Sequence, residues 1–85
     1  MKQFEYIIKD ELGIHARPAG LLVKEAKKYE SKIVISKDGT KAEATKLIAI
    51  MGMAVKCGQT VAVEVSGSDE ETAFEGMKEF FEKNL

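Results

Sequence analysis

His15, Arg17 and Pro18 stand together in the stretch Leu12-Gly13-Ile14-His15-Ala16-Arg17-Pro18-Ala19-Gly20. They are the only histidine, arginine and proline of the 85-residue chain. Proline fixes φ and lacks an N–H, so it suits the first turn of a helix, where that donor would be unpaired anyway. The residues after Pro18 read as helix, which puts His15 at or beside the helix N-cap. Gly13 supplies the turn that brings the chain there. The free N–H groups and positive dipole end of a helix favour an anion. A neutral imidazole nitrogen can attack phosphorus and hold the group as a phosphoramidate, and a guanidinium offers planar donors to phosphate oxygens. The chemistry expected is a phosphoryl group carried covalently on His15, with Arg17 stabilising it. A lone histidine in an arbitrary sequence is more often a surface or capping residue. The Gly-Ile-His-Ala-Arg-Pro context turns that balance toward function.

The elements that must position this stretch follow from periodicity. Phe4, Tyr6 and Ile8 alternate with polar or opposite-facing residues, which predicts a first strand, and Lys9-Asp10-Glu11 reads as the polar turn that leads from it to His15. A first helix is expected from about Ala16 to Lys28, with Ala19, Leu22, Val23 and Ala26 as its buried face. Ile33, Val34 and Ile35 mark a second strand. Asp38-Gly39 is a hairpin signal, and a short third strand should return over Lys41 to Glu43. Thr45 reads as the N-cap of a second helix. Thr60 to Val65 alternates as a fourth strand with its valines inward. Ser68-Asp69-Glu70-Glu71 has the capping-box pattern before a third helix from about Glu70 to Lys83, whose buried face is Ala73, Phe74, Met77, Phe80 and Phe81. The order β-α-β-β-α-β-α predicts an α+β fold, with helices on one face of an antiparallel sheet.

Composition bounds the rest. Residues 1–85 are expected to form one domain with a modest core. The chain is 45% hydrophobic and 32% charged, as in ordinary globular proteins. A net charge of −1 gives no argument for nucleic acid or a membrane surface. No signal peptide and no span of ~20 apolar residues is read. Cys57 is alone, so no intrachain disulfide can form and a reducing, cytoplasmic setting is expected. No metal cluster or cofactor is implied.

Leu47, Ile48, Ala49, Ile50, Met51, Met53 and Ala54 make the second helix apolar nearly all round. Leu47, Ile50, Met51 and Ala54 fit one face and Ile48 is left to the side. From pattern alone, an all-core role and an exposed binding patch stand about equally. Lys24, Lys27, Lys28 and Lys46 read by default as solvated lysines.

Gly13-Ile14-His15-Ala16-Arg17-Pro18-Ala19 resembles the active-site segment of HPr, the histidine-containing phosphocarrier of the bacterial sugar phosphotransferase system. The resemblance extends over nearly the whole chain, including Gly67-Ser68-Asp69-Glu70 before the last helix. It implies an open-faced sandwich of four strands and three helices, with Nδ1 of His15 as the phosphoryl acceptor; the residues themselves do not choose between the two ring nitrogens. It also implies a donor enzyme of the enzyme I type, charged by phosphoenolpyruvate, and sugar-specific acceptors of the enzyme IIA type. The docking surface it implies is Leu47, Ile48 and Met51 with Gly20 and Lys24, on a monomeric carrier.

Three departures from that family stand out. Lys46 occupies the position where many HPr proteins carry a regulatory serine, and the nearest hydroxyl is on Thr45. Gly20 replaces an alanine or threonine, and Gly52 lies in the second helix. The rival readings are a binding module of ferredoxin-like architecture, whose metal chaperones carry a Cys-x-x-Cys this loop lacks, and a specialised HPr paralogue in a nitrogen-control or dedicated kinase phosphorelay.

Overall fold

Four strands hydrogen-bond in the order β1-β4-β2-β3, every pair antiparallel. A computed structural model describes residues Met1–Leu85. The strands are β1 (Lys2–Ile7), β2 (Lys32–Lys37), β3 (Thr40–Glu43) and β4 (Thr60–Ser66), and the helices are α1 (Ala16–Ala26), α2 (Leu47–Gly52) and α3 (Glu70–Asn84). The β-α-β-β-α-β-α order and the α+β class are those read from the sequence.

Period-two patterning sets the sheet register. Phe4 pairs with Val63, and Val63 and Val65 pair with Ile35 and Ile33. The same-face residues thus meet across three strands beneath the helices. Val61, Val63, Val65, Ile35, Leu22 and Phe81 are fully buried in one core. Phe81 anchors its aromatic end, meeting Phe4 at 5.8 Å and Tyr6 at 5.5 Å edge to face. The β2–β3 hairpin turns through Asp38 and Gly39 at φ of 50° and 85°, the paired left-handed conformation of a two-residue hairpin loop.

Three local expectations are corrected. Thr45 is not the N-cap of α2; Lys46 is, and no side chain caps that end. The Ser68–Glu71 capping box does not form. Asp69 is the N-cap of α3, but its side chain makes no cap bond. Its carboxylate reaches instead to the turn before β2, accepting the N–H groups of Glu30 and Ser31 and the Ser31 hydroxyl. α1 ends at Ala26, two residues short of Lys28, with Val23 and, on α3, Phe74 only half-buried.

Candidate functional site

The segment between β1 and α1 is held from both sides by backbone bonds. Ile14 N–H donates to the Val55 carbonyl at 3.0 Å, and Asp10 N–H donates to the Leu85 carbonyl at 2.9 Å. Gly13 N–H closes back on the Asp10 carbonyl at 2.9 Å. Gly13 sits at φ +70°, and a Cβ there would stand 2.2 Å from the Val55 oxygen, so the close approach needs glycine. Ile14 plugs the core beneath, and the chain then enters α1.

His15 is the N-cap of α1, with extended backbone, and its carbonyl accepts the Ala19 N–H at 2.9 Å. Its side chain makes no cap hydrogen bond, and the imidazole is 35% exposed. Nε2 lies 3.7 Å from Asp10 Oδ1. Pro18 is buried in the first turn, as its missing N–H allows. Asp10, His15, Arg17, Pro18 and Leu21, with Lys83 and Asn84 at the end of α3, line one shallow cleft of about 250 Å³. Arg17 forms no ion pair with any carboxylate, whereas Lys83 is held by Glu79 at 2.8 Å. An imidazole and an unpaired guanidinium therefore line one cleft at the start of a helix, an arrangement suited to receiving a phosphoryl group.

The remaining expected site residues lie on two stripes. Gly20 and Lys24 follow Arg17 along the exposed side of α1 at helical spacing. On α2, Leu47, Ile48 and Met51 are 40%, 81% and 41% exposed, while Ile50 is fully buried. That settles the split left open by pattern alone: one side of α2 is core and the other faces solvent. α1 and α2 pack together, but the α2 residues do not line the His15 cleft. Lys46 faces a different and larger hollow of about 500 Å³ beside the sheet, among Lys32, Lys41, Glu43 and Glu64. That hollow does not include His15 or Arg17. Sequence reading missed Asp10, which it took for a turn residue, and Leu21, 43% exposed at the cleft edge. The helical spacing of Leu21 from Arg17 was the available signal for the latter; for Asp10 there was none. Cys57 is exposed, its Sγ 3.8 Å from the Lys9 carbonyl.

The family model described as PTS HPr component phosphorylation site matches residues 2–83. The chain is similar to the phosphocarrier protein HPr of Mycoplasma genitalium, 35% identical over 85 residues, covering 99% of this chain and 97% of the relative. A crystal structure of HPr-C-His from Thermoanaerobacter tengcongensis superposes with a TM-score of 0.93 at 37% identity, covering 99% of this chain and 94% of that one. The crystal structure of the Bacillus subtilis catabolite repression protein Crh, described as a domain-swapped dimer, superposes at 0.78 with 32% identity, covering 100% and 98%.

Proposed function

The chain belongs to the HPr phosphocarrier family of the phosphotransferase system, and on that premise we propose that residues 1–85 are one carrier domain that takes a phosphoryl group on His15 from an enzyme I-type donor and passes it to an enzyme IIA-type acceptor. The observation that carries the reading is His15 at the start of α1, its imidazole unbonded by any cap and sharing a cleft with an unpaired Arg17. In the accepting step, the lone pair of a ring nitrogen attacks phosphorus while the bond from phosphorus to the donor breaks, its electron pair leaving with the donor. Arg17 and the α1 N–H groups bind the phosphoryl oxygens. Anionic charge at a helix start gains roughly 0.3–1 kcal/mol, more where partly buried. The onward step reverses this, with the phosphorus–nitrogen bond breaking.

The exposed α2 stripe, Leu47, Ile48 and Met51, together with Gly20 and Lys24 on α1, supplies the docking face for both partners. Methionine suits a face that must fit more than one partner. We place the carrier in the cytoplasm as a monomer; no helix is long and apolar enough to cross a membrane. A specialised paralogue in a regulatory phosphorelay is the second reading, favoured by the similarity to Crh. Reconstitution separates the two. With phosphoenolpyruvate, the general donor enzyme and a sugar-specific acceptor, label should pass through this protein to the acceptor. Label that enters it and stops there would favour the regulatory relay.

A further inference from the structure

We propose that Asp10 is a positioning residue for His15, holding the imidazole so that Nε2 carries the proton and faces the carboxylate while Nδ1 presents its lone pair. This rests on the phosphoryl-acceptor reading given above. Asp10 Oδ1 lies 3.7 Å from His15 Nε2. The same oxygen accepts the Leu12 N–H at 2.9 Å, and the Asp10 N–H donates to the Leu85 carbonyl at 2.9 Å. The carboxylate is therefore held by one bond from within its own turn, on a backbone that is itself tied to the Leu85 carbonyl beyond α3. It is not a freely rotating surface charge.

A separation of 3.7 Å is longer than a hydrogen bond. The terminal torsion of an imidazole is soft, and the hydrogen bonds of a reacting site often tighten only when the partner is bound. In a neutral imidazole one nitrogen bears the proton, and the bond made by that nitrogen decides which one it is. A carboxylate facing Nε2 selects Nε2–H and leaves Nδ1 open. The reaction adds a second reason. Attack by the neutral ring through Nδ1 gives a phosphorylated ring that is cationic, its proton still on Nε2. The anionic neighbour stabilises that cation, and when the group moves on, the electron pair of the phosphorus–nitrogen bond returns to Nδ1. The other charges in the cleft are Arg17, which is unpaired, and Lys83, which Glu79 holds. Both side chains of the Asp10–His15 pair are about one-third exposed, at 31% and 35%, so the effect is that of a partly screened pair.

The test uses the 15N-labelled full chain. Long-range proton–nitrogen spectra of the unphosphorylated protein should show His15 almost wholly as the Nε2–H tautomer. Asp10→Ala should give a tautomer mixture and accept the phosphoryl group about two- to fivefold more slowly, the range of a screened ion pair. Asp10→Asn keeps an oxygen for Leu12 and for Nε2–H, and should restore the tautomer while remaining slower because the charge is lost. Amide spectra check that each variant keeps the fold; if Asp10→Ala does not, Asp10→Asn against the parent still decides. Unchanged tautomer and rate in the variants, or an Nδ1–H tautomer in the parent, would overturn the proposal. Failure of the parent itself to accept a phosphoryl group would instead strike the carrier reading, and the tautomer measurement is independent of that outcome.

Discussion

Gly13 lies so close to Val55 that a single Cβ would overlap the Val55 carbonyl oxygen, and the next residue, Ile14, donates its N–H to that same oxygen at 3.0 Å. The histidine is thus located by the chain that follows α2, about forty residues away in sequence. Gly13→Ala should therefore fail in two ways. The left-handed backbone alone costs an L-residue roughly 1–2 kcal/mol, and the overlap forces the segment off Val55. A melting temperature lowered by at least about 4 °C and slowed phosphoryl acceptance are expected together. Full transfer at an unchanged melting temperature would show that the segment need not be seated on Val55.

Gly20 presents the opposite case. Nothing stands within 4 Å of a Cβ built there, and φ is ordinary. Alanine in place of glycine within an exposed helix gains about 0.8–1 kcal/mol. Gly20→Ala should raise the melting temperature by several degrees, because the helix gains propensity without a clash. If it also weakens donor binding, Gly20 lies under the docked partner; a lowered melting temperature would contradict the open surroundings.

The two faces of α2 should respond differently to charge. Ile48 is 81% exposed and Ile50 is fully buried. Ile48→Glu and Met51→Glu should fold with melting temperatures near the parent and lose donor affinity. Ile50→Ala should cost about 2–5 kcal/mol through the cavity it leaves. Calorimetry with donor titration separates them. Strong destabilisation by Ile48→Glu, or undiminished donor binding by both glutamate variants, would remove the α2 stripe from the docking face.

Acid should act on the joint between α3 and β2. The Ser31 hydroxyl and then the Glu30 N–H hold the Asp69 carboxyl below its ordinary 3.8. A carboxyl whose pKa is depressed by folding stabilises the folded state above its unfolded value, and that contribution is lost as pH falls through the folded one. Asp69→Asn should therefore lower stability at neutral pH, with the difference from the parent shrinking below about pH 4. Melting curves across pH 2–7 check this, and a difference that stays constant with pH would deny the linkage.

What was legible in the sequence was what neighbours in sequence decide. Phe4, Tyr6 and Ile8 gave a strand, Asp38-Gly39 a hairpin, and His15 before Pro18 a helix start. The bonds that cross the chain were not legible. Asp69 sits at a position that local rules assign to capping, yet its carboxylate is taken by Ser31, 38 residues away. Thr45 precedes α2 closely enough to suggest a cap, but the helix begins one residue later, with Lys46 as its N-cap. Asp10 looked like one polar turn residue among three until the fold set it beside His15. The proposed nucleophile stands in a contiguous context and could be read; the Val55 carbonyl that seats its segment is brought there by tertiary packing.

The most direct measurement is the intact mass of the parent and of His15→Ala after incubation with phosphoenolpyruvate and the general donor enzyme. The account predicts one added phosphoryl group on the parent, lost in acid and retained in alkali as a phosphoramidate requires. It predicts none on His15→Ala, whose fold should survive because a side chain about one-third exposed and making no cap bond carries little packing. An acid-stable adduct, or equal labelling of His15→Ala, would contradict it.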